Sequence, residues 1–139
     1  MTKEYLLDAS ALLALIKSER RAELLLQSSG GSRPIIDRSA IHTVQVAEVV
    51  KKLVDGGVGP DRCREWLDTL DLEVLTTFEV RPALNTAPLS RKEMKLSLGD
   101  RICLSVALAN DMIAVTTDRQ WKVVAGRYSE LELKVLLLK

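Results

Sequence analysis

The chain has 139 residues, a length that suits one domain built around one core. Hydrophobic residues make up 47% of it and aromatics only 4%, so that core has to come from Leu, Val, Ile and Ala, as when helices pack on a sheet. Twenty Lys and Arg against nineteen Asp and Glu leave a formal charge of +1, without the basic excess of a dedicated nucleic-acid-binding domain.

In chain order, Tyr5-Leu6-Leu7 is an apolar run ending at Asp8, and residues 9–17 have helix-forming composition with Leu12, Leu13, Leu15 and Ile16 apolar. Strand then helix is expected. The run is too short to cross a bilayer and carries Asp8, so neither a membrane segment nor a signal peptide is expected. A helix is expected over 20–27, ended by the loop Ser28-Ser29-Gly30-Gly31-Ser32 with Pro34. Either residues 35–36 or residues 40–43 supply the next strand, and 44–54 forms a helix that stops at Gly56-Gly57.

Pro60 opens a helix through Leu70 with Trp66, Leu67 and Leu70 on one face, and 72–75 reads as strand. Residues 77–95 read only as helix and loop. The clearest helix is 98–110, where Ile102, Val106 and Ala109 share a stripe beside Cys103 and Ala107. Residues 112–115 then form a buried strand, 119–124 a short helix and 135–138 a closing strand. This alternation predicts an α/β fold, a mostly parallel central sheet flanked by helices, with no repeat or linker dividing residues 1–139. Cys63 and Cys103 lie in helical stretches outside any CxxC or Cys/His cluster and read as reduced thiols of a cytoplasmic protein.

Four acids fall where this alternation places chemistry. In a parallel βα fold every strand runs toward the same edge, and sites form at that edge. Asp8 ends the first strand, Glu48 lies early in its helix, Asp100 is in the first turn of its helix, and Asp118 follows the strand that returns to that end. Clustered carboxylates raise each other's pKa unless a cation sits among them. An all-oxygen donor set suits Mg²⁺ or Mn²⁺, whereas zinc would call for His or Cys. Such a metal activates water and neutralises charge developing on a phosphodiester, so metal-assisted phosphodiester hydrolysis is the implied chemistry.

Each acid also has a plain structural reading. Asp8 and Asp118 stand at expected helix N-caps, and Ser97-Leu98-Gly99-Asp100 fits a capping box. Glu48, between Ala47 and Val49, has little capping role and is either functional or simply exposed. His42, the only histidine, is weak support for acid–base chemistry. Trp66 and Trp121 read as core residues before base-stacking ones, and Arg101 and Arg119 either contact phosphate or face solvent. The basic clusters Lys17/Arg20/Arg21, Lys51/Lys52 and Arg91/Lys92/Lys95 each read equally well as solvated helix faces. No phosphate-binding or dinucleotide glycine motif is present.

Leu6-Leu7-Asp8-Ala9-Ser10-Ala11-Leu12-Leu13-Ala14 resembles the opening motif of PIN domains, and Val44-Gln45-Val46-Ala47-Glu48-Val49 resembles their second acidic motif. Leu96-Ser97-Leu98-Gly99-Asp100-Arg101 with residues 103–109 resembles the third motif of a VapC-like subgroup, and residues 115–121, with Asp118, the fourth. The resemblance covers nearly the whole chain. It implies a PIN-like three-layer fold and a Mg²⁺- or Mn²⁺-dependent endoribonuclease acting on RNA. It also implies the toxin of a type II toxin–antitoxin pair, self-associating as a homodimer and inhibited by a small VapB-like antitoxin.

By that resemblance Asp8, Glu48, Asp100 and Asp118 are the catalytic and metal-site acids, with Ser10 and Thr116 supporting them or touching substrate. Gln45 stands where the second motif often carries Asn, and the stretch before it, from Ser28 to Thr43, is long and polar. Both departures bear on the geometry around Glu48. Two alternatives stay open: a PIN-like RNA-binding protein without catalysis, and a receiver-like Mg²⁺-binding signalling domain.

Overall fold

The computed structural model describes residues 3–28, 30–70 and 72–139, so Ser29, inside the expected loop, lies outside the described residues. Among the described residues five strands pair in parallel: β1 (Tyr5–Leu7), β2 (Ser39–His42), β3 (Glu73–Leu75), β4 (Ile113–Thr116) and β5 (Val135–Leu137). Their order across the sheet is β3-β2-β1-β4-β5. A receiver-like sheet would be ordered 2-1-3-4-5, with its phosphoacceptor strand elsewhere.

Six α-helices connect or follow the strands: α1 (Ala9–Ile16), α2 (Thr43–Asp55), α3 (Pro60–Leu70), α4 (Val80–Leu84), α5 (Leu98–Ala109) and α6 (Arg119–Arg127). Strand side chains alternate between two faces. Leu6, Ala40, Ala114 and Val135 point to one face and pack with Ile102, Cys103 and Val106 of α5 and Trp121 of α6. On the other face Ile41 meets Leu12 of α1, Val49 of α2 and Cys63 of α3, while Leu7 and Val115 meet Ala11 and Leu25. The result is three layers, with the central strands β1, β2 and β4 buried on both sides as in parallel sheets and the edge strand β3 largely exposed.

One expectation changes in the structure, and two open ones are resolved. The stretch expected as a helix over 20–27 is a 3₁₀ helix, Arg20–Leu26, whose buried residues Ala22 and Leu25 are three apart, the spacing that stacks in 3₁₀ geometry. Of the two candidates for the second strand, residues 39–42 form it, and Ile35–Arg38 is a 3₁₀ turn. Residues 77–95 contain α4 and two further 3₁₀ turns, Ala87–Leu89 and Lys92–Met94.

Strand order reverses beside β1: the chain steps outward through β2 and β3, then crosses to β4 on the other side. The crevice beyond the carboxyl ends of β1 and β4 is therefore the switch point at which ligands bind in open α/β sheets. Asp8 lies at the end of one of these strands and Thr116 at the end of the other.

Candidate active site

Asp8 is the N-cap of α1 and only 5% exposed. Its Oδ1 accepts from the Ala11 N–H at 2.8 Å and from Ser10 Oγ at 2.7 Å, and its Oδ2 accepts from Thr116 Oγ1 at 2.6 Å. The two hydroxyls are themselves oriented, because Ser10 Oγ accepts from the Thr117 N–H at 3.0 Å and Thr116 Oγ1 from the Asp118 N–H at 3.0 Å. With a backbone N–H occupying a lone pair, each hydroxyl turns its proton to Asp8. Burial nevertheless outweighs these donors and, with Asp100 nearby, pushes the Asp8 carboxyl from 3.8 to about 6.

Asp100 is the third residue of α5 and completes a capping box: its Oδ2 accepts from the Ser97 N–H at 3.0 Å, and its own N–H donates to Ser97 Oγ at 3.1 Å. Asp118 caps α6, its Oδ1 accepting from the Gln120 N–H at 2.9 Å. The capping readings are thus all borne out, yet each residue also faces the crevice. Glu48 accepts no hydrogen bond among the described residues, and its carboxyl is raised by burial first and by Asp100 next, with Lys52 opposing. Its carboxylate lies against the backbone of Gly99, where an added Cβ would fall on Glu48 Oε1. A side chain at residue 99 would therefore displace the Glu48 carboxylate from this position.

These four acids line one cavity of about 270 Å³, together with Ser10, Lys17, Glu19, Arg21, Gln45, Lys52 and Thr117. Thr116 is fully buried behind it and touches the site through Asp8. Among the described residues, no group of three His, Cys, Asp or Glu side chains is set to hold a metal ion in this geometry. The caps turn Asp100 Oδ2 and Asp118 Oδ1 toward helix N–H groups. Asp100 Oδ1, Asp118 Oδ2 and both Glu48 oxygens keep their lone pairs free of hydrogen bonds among the described residues, and the donor set is all oxygen. That chemistry fits Mg²⁺ or Mn²⁺ and does not fit zinc.

The remaining candidates resolve differently. His42 Nε2–H donates to the Thr77 carbonyl at 3.0 Å and Nδ1 accepts from the Val44 N–H at 3.2 Å, so the ring caps α2 and has no nitrogen left for catalysis. Trp121 is fully buried, which removes it from base stacking. Trp66 packs in the α2–α3 cluster with the Arg62 guanidinium 5.6 Å over its ring. Arg101 donates to the Ser97 carbonyl at 3.4 Å and Ser90 Oγ at 3.1 Å, and Arg119 is exposed. Of the basic clusters, Lys17, Arg21 and Lys52 reach the cavity.

Sequence reasoning missed Gln45 as part of the site. The available signal is its position on a stripe with Val49 and Leu53, which are the other buried residues of α2. A polar residue on a core stripe has to be paired.

The PIN domain family model matches residues 5–127 of this sequence. The chain belongs to the PIN domain family. Solved structures extend that likeness to the whole fold of this PIN domain. One is a toxin–antitoxin complex from Klebsiella pneumoniae, at 20% identity and TM-score 0.67, with 98% of each chain covered. VapBC2 from Rickettsia felis, bound to a DNA fragment from its promoter, aligns at 17% identity and TM-score 0.68 over 97% of this chain and 98% of that one. VapBC-1 from nontypeable Haemophilus influenzae aligns at 17% identity and TM-score 0.66 over 96% and 97%. At these identities the likeness is one of fold. No curated protein matches the chain. No helix among the described residues of the PIN domain is long and apolar enough to cross a membrane.

Proposed function

We propose that this PIN domain is a Mg²⁺- or Mn²⁺-dependent endoribonuclease that hydrolyses RNA phosphodiester bonds, and the toxin of a type II toxin–antitoxin pair. The observation that carries the reading is the meeting of Asp8, Glu48, Asp100 and Asp118, spread over more than a hundred residues of sequence, around one cavity at the switch point of the sheet. Those four carboxylates would hold the metal, which supplies Lewis-acid stabilisation of charge on the phosphoryl group.

The protein's own residues do the rest. Ser10 and Thr116 keep both Asp8 oxygens aimed by donating to them. Lys17, Arg21 and Lys52 set positive charge along the cavity where a polyanion would run past acids that otherwise repel it. Arg21 is engaged with Glu19 at 2.8 Å, while Lys17 and Lys52 form no ion pair among the described residues. The fold likeness to toxin–antitoxin complexes supports a small VapB-like antitoxin as partner, and self-association as a homodimer belongs to the same proposal.

One observation favours a second reading, a PIN-like RNA-binding protein without catalysis: three of the four acids are already engaged as caps, and among the described residues no three His, Cys, Asp or Glu side chains are set around one ion. A single assay separates the two. Purified protein freed of inhibitor is expected to cut RNA with Mn²⁺ and to stop when the metal is chelated. RNA that is bound but left uncut at saturating Mn²⁺ would establish the second reading. Cutting that persists in excess chelator would end the metal mechanism.

A further inference from the structure

Gln45 is 2% exposed and lies one helical turn before Glu48 on α2. Its Oε1 accepts from the Ala9 N–H at 2.9 Å, and its Nε2 donates to the Gly99 carbonyl at 2.8 Å. Ala9 is the residue after Asp8, and Gly99 is the residue before Asp100. One side chain on the helix that presents Glu48 is therefore bonded to the main chain immediately beside two other acids.

The chemistry of the two contacts explains why an amide is used. The Ala9 N–H belongs to the first turn of α1, where N–H groups have no partner within the helix, and a carboxamide oxygen satisfies it. The Gly99 carbonyl, which as an early α5 residue also accepts along the helix, has a second lone pair for the amide N–H, a donor that a carboxylate would lack. Asp8 accepts from Ser10 and Ala11 at Oδ1 and from Thr116 at Oδ2, which keeps one Oδ2 lone pair open, and leaves the Ala9 N–H to Gln45. The absence of a side chain at Gly99 leaves room for the Glu48 carboxylate beside α5, and the Gln45 amide ties α2 to both neighbouring helix starts.

We infer that Gln45 is a positioning residue, whose carboxamide strut from Ala9 to Gly99 sets the spacing of Asp8, Glu48 and Asp100. Both polar ends of its amide are committed to main-chain groups, so it acts by holding three helix starts in one arrangement. The longer side chain in place of Asn reaches across both gaps. This inference rests on the metal reading above for its readout.

The test is Gln45→Met, which keeps length and apolar volume but offers neither bond, beside Gln45→Asn, which is one methylene too short to span both. Mn²⁺ affinity is measured by titration calorimetry well below each variant's own unfolding midpoint, so that only folded protein is read. The expected result is Mn²⁺ binding weakened by roughly 10- to 100-fold, the usual cost of losing a group that orients metal ligands. RNA cleavage at saturating RNA should fall in kcat with KM little changed. A lowered midpoint with Mn²⁺ affinity and kcat at the wild-type level would overturn the inference and make Gln45 only a core hydrogen bond. If Gln45→Met does not fold, Gln45→Asn carries the same comparison. Wild-type protein that takes up no Mn²⁺ would sink the metal reading, and this inference with it.

Discussion

Gly99→Ala separates stability from function at a single atom. Gly99 is buried in the first turn of α5, and its φ is not in the left-handed region, so alanine fits the backbone. The helix itself gains up to about 0.5–1 kcal/mol from the change. Against that, the new Cβ overlaps Glu48 Oε1 and lies 3.0 Å from Glu48 Cδ, inside the 3.4 Å at which ordinary contact begins. The obstacle is the end of a flexible side chain, so Glu48 swings away at a rotamer cost of about 0.5–1.5 kcal/mol.

The two contributions nearly cancel. The thermal midpoint should stay within about 4 °C of wild type, the shift that about 1 kcal/mol produces in a domain of this size. Cleavage should fall by about 100-fold, as expected when a site group is displaced by about 1 Å. The assay is a melting curve without metal and a Mn²⁺-dependent rate, for wild type, Gly99→Ala, Glu48→Ala and the double variant. Adding Glu48→Ala to Gly99→Ala should cost little more, since the carboxylate has already left. Wild-type cleavage by Gly99→Ala would refute the argument that Glu48 acts from its present position. A fall in midpoint well beyond 4 °C would show that α2 and α5 separate, with Glu48 carried along.

Three further outcomes are expected. Asp100→Asn keeps an oxygen for the Ser97 N–H and removes the charge that raises the Asp8 and Glu48 carboxyls, so stability without metal should hold or rise while cleavage drops by orders of magnitude; a less stable variant that cuts normally would leave Asp100 as a cap alone. Asp8 titrates near 6 when folded and near 3.8 when unfolded, so the folded state binds more protons between those values and loses roughly 3 kcal/mol as pH rises through them; metal-free wild type should therefore lose midpoint from pH 4 to pH 7 relative to Asp8→Asn, and parallel curves would contradict the assignment. Thr116→Val removes the hydroxyl that donates to Asp8 Oδ2 and accepts from Asp118; it should raise the Asp8 pKa further and weaken Mn²⁺ binding, and unchanged Mn²⁺ affinity would dismiss its supporting role.

Much of the sheet was legible because apolar runs bounded by Gly, Pro and charge have few other uses, and β1, β3, β4 and β5 lie within a residue or so of their expected positions. The second strand was ambiguous for a physical reason. Its ends are polar, Ser39 and His42, and both are buried only because Ser39 Oγ donates to the Ile35 carbonyl and His42 pairs with Thr77 and Val44. Pattern alone favours Ile35-Ile36 equally. The 3₁₀ helix after α1 was hidden because composition does not distinguish one helix type from the other.

The four acids could be placed on one rim from the strand–helix rhythm, but not the groups between them. Gln45 had been a mismatch to a motif, since its two partners are main-chain atoms 36 and 54 residues away. The same holds for Gly99, whose missing side chain matters only because Glu48 arrives there from another helix.

The hydrogen bond from Thr116 to Asp8 spans 108 residues, and the one from Thr117 to Ser10 spans 107. At ordinary rates of translation, about 5–20 residues per second, Asp8 is made roughly 5 to 20 s before the hydroxyl that completes its surroundings. Through that interval β1 lacks β4, the neighbour that closes one flank, and Asp8 lacks both Thr116 and Asp118. A nascent chain therefore carries the opening acid without a usable centre until nearly all of this sequence has been synthesised. The four acids can come together only after residue 118 has been made.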